Sequence, residues 1–275
     1  MQCVKMEVED CAFDWLKSVE TYTSDQLDSA FQDIDFAFLV GAMPRTKGME
    51  RSDLLSRNGK IFKDQGEALS RYAKKSVKVL VVGNPCNTNC LIAMHHAKDI
   101  PNEQFFAMTM LDEHRAKYQL AQRAGIHTTD VGQLFIYGNH SATQFPDFEN
   151  SGVNIDISDT WWFETYVPMI QTRGAAVINA RGASSAASAA HAAIETARRL
   201  VLESVQPFSV AKYSKGECGS PDGLIVSMPC YFDAGMCKAD ETYTHSERAQ
   251  QLIAASYQEL LDEYEQVKAM GLIGS

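Results

Sequence analysis

The side chains best suited to chemistry lie in four short segments, each at or just after the end of a predicted strand. The segments are GAMPRTKGMER at 41–51, GNPCNTN at 83–89, LDEHR at 111–115 and YGNHS at 137–141. In an open α/β sheet, ligands bind beyond the carboxyl ends of the strands. We therefore expect these segments to contribute jointly to one ligand site.

His140 and Asp112 are the candidates for proton transfer. A histidine titrates near neutral pH, and one oriented by a carboxylate is suited to moving a proton to and from an alcohol. The alternative is a structural histidine. Asp112 and Arg115 are three residues apart on a predicted helix, so they share one face and could also form an ordinary ion pair.

Two arginines and one asparagine could bind an anion or a polar ligand. Arg45 and Arg51 lie in a glycine-containing loop that could close over an anion, although a solvated basic loop has the same composition. Asn84 follows a predicted strand and can both donate and accept hydrogen bonds. The alternative there is a turn followed by a helix N-cap.

Apolar runs alternate with helical patterns in the first part of the chain. Buried strands are predicted at 35–41, 77–83 and 105–110, and helices at 50–74 and 87–97. This alternation predicts a parallel sheet with helices on its faces, and hence an α/β fold.

The second part of the chain, which we separate from the first near residue 110, has a different pattern. Gly125 is a predicted helix stop, and Thr244 with Glu247 forms a possible capping box before the last helix. The predicted elements are a helix at 112–124, a short strand at 134–137, a helix at 160–180 bent near Pro168, a helix at 184–203, an antiparallel strand at 224–232 and a helix ending near Met270.

Composition excludes several classes of protein. With 275 residues, 45% hydrophobic side chains and a net charge of −10, the chain is unlike a general nucleic-acid or anionic-membrane binder. No apolar run approaches the roughly 20 residues of a membrane helix, and the acidic start resembles neither a secretory nor a transit signal. The seven cysteines have irregular spacing without a zinc-site pattern, which favours a reduced cytosolic protein with buried free thiols and no metal.

Five motifs together resemble the cytosolic type of malate dehydrogenase within the lactate/malate dehydrogenase family. They are PRTKGMER, VVGNPCNTNC, LDEHRA, GNHSATQFPD and RGAAVINARGASSAASAA, in this order and spacing, and the similarity weakens after about Ala190. The resemblance implies a Rossmann-like domain at 1–110 and an α+β substrate-binding domain at 111–275. It also implies reversible NAD-linked oxidation of malate to oxaloacetate in the cytoplasm, by a homodimer formed through residues 4–13 and the helix around Trp161.

The resemblance assigns a role to each candidate side chain at the substrate. His140 would be the general acid and base, and Asp112 would orient its imidazole and stabilise the imidazolium, as in other Asp–His pairs. Arg115 would bind the C1 carboxylate through a bidentate fork. Arg51 would polarise the reacting carbonyl, and Arg45 would pair with the second carboxylate and so select a dicarboxylate.

The same resemblance implies a set of cofactor contacts. Asn84 would contact both the substrate and the nicotinamide ribose. Gly41 and Ser188 would lie near the nicotinamide. The remaining positions that match cofactor-contacting residues of the family are Asn58, Gln65, Val82 and Gly83.

Three features depart from the family pattern. Glu113 and His114 replace the usual pair between the motif's aspartate and arginine, and the stretch from Val201 to Gly219 looks irregular beside the family. The chain contains no Gly-x-Gly-x-x-Gly or Gly-x-x-Gly-x-x-Gly, the turn that holds a dinucleotide's pyrophosphate.

We therefore expect a parallel sheet without its first βαβ portion. By the resemblance about 50 residues are absent, and a single βαβ unit takes at least about 30 residues. Because the first strand is central in a Rossmann sheet, its absence would leave a gap beside the strand at 35–41 and expose apolar surface there.

Two alternatives to a malate dehydrogenase are a lactate-type 2-hydroxyacid dehydrogenase and a non-catalytic remnant that acts through oligomerisation or partner binding. Arg45 argues against the first, because a monocarboxylate offers its guanidinium no partner. The presence of Asp112, Arg115 and His140 argues against the second.

Overall fold

The structure, a computed structural model, describes residues 2–43, 51–156 and 159–274, with the backbone alone at 51–54. The helices are α1 Gln2–Asp10, α2 Leu27–Phe31, α3 Arg51–Tyr72, α4 Cys86–His96, α5 Met110–Ala124, α6 Val167–Arg181, α7 Ala187–Val201 and α8 Glu247–Ala269. The strands are β1 Phe36–Leu39, β2 Lys78–Val81, β3 Phe105–Ala107, β4 Ile136–Tyr137, β5 Phe145–Pro146, β6 Phe208–Tyr213, β7 Ile225–Asp233 and β8 Met236–Ala239. Both predicted types of element, alternating strands with helices and then an antiparallel part, are confirmed.

Six strands form one mixed sheet in the order β1-β2-β3-β6-β7-β8. The first three are parallel, as predicted, and the rest pair antiparallel, beginning with β3 and β6, where Phe106 lies opposite Lys212. β4 and β5 pair separately, and a bridge between Gly138 and Ser227 connects their hairpin to β7. The sheet therefore runs from the first part of the chain into the second without interruption.

The parallel strands are buried on both faces. Val79, Leu80 and Val81 of β2 have no exposed surface, which is typical of parallel sheets covered by helices. Because parallel crossovers are right-handed, α3 and α4 lie on the same face, where they pack against each other. Helix α7 contacts α5 and β2, so its preceding loop lies close to the carboxyl end of the sheet.

Strand β1 forms one edge of the sheet within the described part of the chain. Phe38 on this strand is 45% exposed, and Val40 just after it is 57% exposed. The expectation that apolar surface is exposed beside the strand at 35–41 is confirmed.

Local sequence explains where several helices begin and end. Gly125 ends α5 in the left-handed conformation with φ of +67°, as predicted. The predicted bend near Pro168 is a π-helical turn at Trp162–Tyr166, and the proline lies in the first turn of α6, where no N–H is required. The predicted Thr244–Glu247 capping box is wrong, because Ser246 is the N-cap of α8 and accepts from the Ala249 N–H at 3.2 Å.

The stretch from Val201 to Gly219, expected to be irregular, contains the regular strand β6. Two polar residues, Ser209 and Lys212, make this strand hard to recognise in the sequence. In the structure both are buried and have hydrogen-bond partners. The backbone N–H of Ser209 donates to the Glu113 carboxylate at 2.7 Å, and Lys212 donates to Glu217 at 2.7 Å. Glu113, one of the residues that depart from the family motif, therefore fixes the start of β6.

All seven cysteines are free. Cys86, Cys90 and Cys230 are buried, as expected, but Cys3 and Cys11 are exposed on or beside α1, so the expectation of buried thiols holds for only part of the set. Among the helices of the described residues, none is both long and apolar enough to cross a bilayer.

Candidate active site

Three of the four segments chosen from the sequence meet at one cavity, as expected. It has a volume of about 340 Å³ and lies between the carboxyl end of β2, the first turn of α5, the turn after β4 and helix α6. Its polar walls are formed by Asn84, Asp112, Arg115, His140, Gln144 and Gln171. The fourth segment contains Arg45, which lies outside the described residues, and Arg51, whose side chain also does so.

His140 and Asp112 form a hydrogen-bonded pair in this cavity. The imidazole Nδ1 contacts an oxygen of the Asp112 carboxylate, which has no exposed surface, while the histidine side chain is 15% exposed. A carboxylate can only accept, so the Nδ1 atom carries the proton. The other ring nitrogen, Nε2, is then the one that can exchange a proton with a bound molecule.

Asp112 also holds Arg115. The second oxygen of the Asp112 carboxylate accepts from the Arg115 guanidinium at 3.1 Å, and a further guanidinium nitrogen donates to the Ser185 hydroxyl at 3.1 Å. Arg115 is 13% exposed on its side chain, so this pair is an interior one and not the solvated ion pair considered above. A guanidinium has five N–H groups, so donors remain for a bound carboxylate.

The pKa values of the pair move apart. Burial disfavours the charged form of His140, but the adjacent Asp112 carboxylate outweighs this effect by its charge and hydrogen bond, and the pKa of His140 is raised. Burial likewise opposes ionisation of Asp112, yet its pKa is lowered by the charge and hydrogen bond of His140, by Arg115 and by a hydrogen bond from Gln144. The pair is therefore set to form an imidazolium beside a carboxylate.

Two glutamines that the sequence did not single out support this pair. Gln144 is 3% exposed, lines the same cavity as Asp112 and contributes to lowering the pKa of that carboxyl group. Its main-chain oxygen accepts from the Gln171 side chain at 2.9 Å, which ties α6 to the turn after β4. Gln144 lies within the motif GNHSATQFPD, but glutamine has too many ordinary roles for its type alone to have identified it.

A second cavity of about 390 Å³ adjoins the first and shares Asn84, Arg115, His140 and Gly174 with it. Val82 and Gly83, both predicted cofactor contacts, line this second cavity. Gly41 and Ser188 are not among its lining residues, although Val40, Ala42, Ser185 and Ala189 are. The cavity is thus lined by residues directly adjacent to Gly41 and Ser188, and the roles of these two residues as cofactor contacts stay predictions.

The remaining predicted cofactor contacts, Asn58 and Gln65, lie on α3 and not in either cavity. Asn58 is fully buried and bonds to protein backbone: its Oδ1 accepts from the Met43 N–H at 2.8 Å, and its Nδ2 donates to the Asn84 carbonyl at 3.0 Å. It thus joins the end of β1 to the Asn84 turn. Gln65 has a buried Oε1 atom without a hydrogen-bond partner among the described residues.

Two models of one protein family match nearly the whole chain. The model of the lactate/malate dehydrogenase NAD binding domain matches residues 1–106, and that of the lactate/malate dehydrogenase alpha/beta C-terminal domain matches residues 109–270. The chain belongs to the lactate/malate dehydrogenase family. It is therefore related to NAD-dependent 2-hydroxyacid dehydrogenases, which are oxidoreductases, and NAD is its cofactor.

Solved structures of this family share the fold closely. A malate dehydrogenase from Naegleria fowleri is 41% identical, with a TM-score of 0.91 over 99% of this chain and 84% of that one. A lactate dehydrogenase from Trichomonas vaginalis, solved with NADH and oxamate, is 34% identical, with a TM-score of 0.88 over 96% of this chain and 83% of that one. Malate and lactate enzymes are thus both similar to this chain.

The second cavity fits the nicotinamide end of the cofactor. Val82, Gly83 and Met108 give it an apolar wall at the carboxyl ends of β2 and β3, and Asn84 adds a polar group where the two cavities meet. This position agrees with the rule that ligands of open α/β sheets bind beyond the strand ends. His140 lies where the two cavities meet, because it lines both of them.

Proposed function

We propose that this protein is a malate dehydrogenase that interconverts malate and oxaloacetate. The observation that carries the proposal is the position of Asp112, whose single buried carboxylate contacts both the His140 imidazole and the Arg115 guanidinium at the wall of one cavity. This arrangement places a proton-transfer group and a carboxylate-binding group side by side. A 2-hydroxy acid presents the same two groups, a hydroxyl and a carboxylate, on adjacent carbons.

His140 handles the proton in both directions. During oxidation, Nε2 accepts the hydroxyl proton of malate, and Asp112 stabilises the imidazolium that forms. During reduction, the imidazolium returns that proton to the carbonyl oxygen of oxaloacetate. When bound, the cofactor supplies the hydride acceptor as NAD or the hydride donor as NADH.

Arg115 and Asn84 orient the substrate. The free N–H groups of Arg115 bind the C1 carboxylate, while its bonds to Asp112 and Ser185 fix the plane of the guanidinium. Asn84 lies where both cavities meet, so its amide can contact the substrate and the nicotinamide ribose. Gly83, Val82 and the segment around Ser185 would hold the nicotinamide against this junction.

Selection of a dicarboxylate is assigned to Arg45, with Arg51 polarising the reacting carbonyl. The support for these two roles is the sequence motif PRTKGMER, since both guanidinium groups lie outside the described residues.

The second candidate is a lactate-type enzyme, which the 34% identity to the Trichomonas vaginalis lactate dehydrogenase favours. The two candidates differ in whether Arg45 has a carboxylate to bind.

The test compares oxaloacetate with pyruvate as substrates for NADH oxidation. We expect oxaloacetate to be preferred, and Arg45→Leu to lower kcat/KM for oxaloacetate by about 10- to 100-fold, the effect of losing a charge-assisted hydrogen bond of about 1.5–3 kcal/mol. The matched control is Lys47→Leu, which removes a positive charge from the same loop.

Two results would oppose this reading. Equal losses in Arg45→Leu and Lys47→Leu would leave only a general charge effect, and a wild-type preference for pyruvate would favour the lactate-type enzyme. A non-catalytic protein would turn over neither oxaloacetate nor pyruvate with NADH. Calorimetry of NADH binding is the second measurement, and an absence of NADH binding would oppose both enzyme candidates.

We also propose a homodimer in the cytoplasm. Apolar side chains are exposed in the segment 4–13, which is predicted to form the dimer interface. Val4 and Met6 of α1 are 62% and 56% exposed, and Phe13 is 61% exposed. Sedimentation equilibrium of the wild type and of a Val4→Lys, Met6→Lys variant tests this. A monomeric wild type would contradict the proposal.

A further inference from the structure

The loop that carries His140 lies against helix α8. We call residues 138–143 the histidine loop. On α8, Ser256, Glu259 and Glu263 are spaced by three and four residues, so they share one face of the helix. The Ser256 hydroxyl accepts from the main-chain N–H of Asn139 at 2.9 Å, and the helix thus contacts the residue immediately before His140.

Glu263 connects this loop to another element of the site. One of its carboxylate oxygens accepts from the Asn139 side chain at 2.9 Å, and the other accepts from the Thr88 hydroxyl. Thr88 lies in the first turn of α4, directly after the turn that contains Asn84. A single carboxylate that is 2% exposed therefore bridges the histidine loop and the Asn84 side of the site.

A second hydrogen bond joins the histidine loop to helix α4, at a position closer to the His140 side chain. The main-chain N–H of His140 donates to Asn87 Oδ1 at 3.0 Å, and the Asn87 amide nitrogen donates to the carbonyl of Ile225 on β7 at 2.9 Å. Asn87 and Thr88 are adjacent in α4. The histidine loop is thus attached to one helical turn at two points, directly through Asn87 and indirectly through Glu263.

The surroundings of Glu263 favour a buried carboxylate at this place. Helix α4 has no acidic residue in its first turn, and its N-cap, Pro85, provides no side-chain cap. The N-terminus of a helix carries a partial positive charge, which stabilises a nearby anion. Glu263 lies beside that turn through its bond to Thr88, so a residue far along the chain supplies the charge that α4 lacks.

We propose that Glu263 is a positioning residue for His140, which sets the separation between the histidine loop and the Asn84 turn. The inference rests on the proposed dehydrogenase function, and it adds α8 to the elements that determine catalysis. Glu263 does not line either of the two cavities, so it acts through its hydrogen bonds with Asn139 and Thr88. Displacements of about 1 Å in a reacting group can cost about 100-fold in rate.

Three variants test the proposal. Glu263→Leu removes both hydrogen bonds and should lower kcat/KM for oxaloacetate by about 100-fold. The dissociation constant for NADH should change far less than kcat/KM, because Glu263 lines neither cavity. Glu263→Gln keeps an acceptor for Asn139 and a donor for Thr88, whose hydroxyl can accept, and should restore activity to within about threefold of wild type. Glu265→Leu, an exposed position of the same helix, is the control for loss of one negative charge.

An independent readout is the titration of His140, followed by NMR of histidine-labelled protein without substrate or cofactor. In Glu263→Leu the contact between His140 and Asp112 loosens, so the pKa of His140 should fall towards its ordinary value. In Glu263→Gln and Glu265→Leu it should remain raised. This measurement separates the two proposals, because it needs no turnover: a wild type without dehydrogenase activity would overturn the proposed function and leave the titration to decide the positioning role.

Thr88→Val covers the case in which Glu263→Leu does not fold. It removes only the hydroxyl that donates to Glu263, and it should lower kcat/KM for oxaloacetate by about 10-fold and shift the His140 titration in the same direction. The inference is overturned if folded Glu263→Leu, or in its absence folded Thr88→Val, keeps wild-type kcat/KM and an unchanged His140 titration. It is also overturned if Glu265→Leu reproduces their losses.

Discussion

Asp112→Asn is the substitution that examines the centre of the site most directly. The carboxylate has no exposed surface, and its two oxygens are divided between His140 Nδ1 and the Arg115 guanidinium. An asparagine has a similar shape but one oxygen and one amide nitrogen. If the oxygen faces Arg115, the amide nitrogen faces His140 and favours the tautomer in which Nδ1 is unprotonated. If the oxygen faces His140, the amide opposes the guanidinium.

The magnitude follows from the lost charge. Two unit charges at a contact distance of about 4 Å, with an effective dielectric constant of about 20, attract each other by about 4 kcal/mol. The Arg115 charge beside the pair reduces the net benefit to the imidazolium, so we expect a loss of about 3–4 kcal/mol. At about 1.4 kcal/mol for each factor of ten, this corresponds to roughly 100- to 1000-fold in kcat/KM for oxaloacetate.

The dependence of kcat/KM on pH shows in which direction the pKa of His140 changes. Oxaloacetate reduction uses the imidazolium, so kcat/KM falls as the pH rises through the raised pKa of His140. Malate oxidation uses the neutral ring and rises through the same pKa. Without the Asp112 charge the pKa of His140 falls, and both transitions should move to lower pH.

The assay is steady-state NADH oxidation from about pH 6 to pH 9, combined with NMR titration of labelled histidine. Asp222→Asn, at an exposed position in the turn before β7, is the control for a change from aspartate to asparagine. A folded Asp112→Asn protein whose His140 titrates as in the wild type would refute the electrostatic reasoning. So would a large loss of activity without any displacement of the pH profile.

Three further substitutions probe other parts of the structure. Arg115→Lys keeps the charge but loses the planar fork, so KM for oxaloacetate should rise by about 10-fold or more, and steady-state kinetics should show little change in KM for NADH. Gly138→Ala should destabilise the fold by about 1–3 kcal/mol in urea unfolding, because φ is +91° and a Cβ would lie 2.1 Å from the Ser256 hydroxyl; unchanged stability would contradict the close approach. Glu113→Leu should cost about 1–3 kcal/mol of unfolding free energy by leaving the buried Ser209 N–H without its acceptor, while kcat of the folded protein stays near wild type.

The sequence was informative where chemistry and local pattern coincide. His140, Asp112 and Arg115 each follow a strand end in a motif of fixed order, and the structure brings them together. The parallel strands were predictable because a run such as Val79–Val81 is apolar without alternation. Gly125 was predictable as a helix stop because the left-handed conformation suits glycine.

Long-range polar contacts could not be predicted in the same way. Thr88 and Glu263 are 175 residues apart, and neither residue type in its local sequence indicates a buried bridge. Strand β6 was missed in part for the same reason, because the buried Ser209 hydroxyl accepts from the distant Ile136 N–H. Lys212 is buried through a closer partner, Glu217. The helix cap was misplaced by two residues, since threonine and serine are both good N-caps and only the backbone decides between Thr244 and Ser246.

The pairing of β3 with β6 has a mechanical consequence. Phe106 and Lys212 join the segment matched by the NAD binding domain to the segment matched by the C-terminal domain through hydrogen bonds of one continuous sheet. A hinge rotation between the two segments would have to break these bonds, so the frame that carries Asn84, Asp112 and His140 moves as a single body. We therefore expect adjustment to a bound acid in the loops at the rim of the sheet, and exchange of one half between relatives would have to preserve the pairing of β3 with β6.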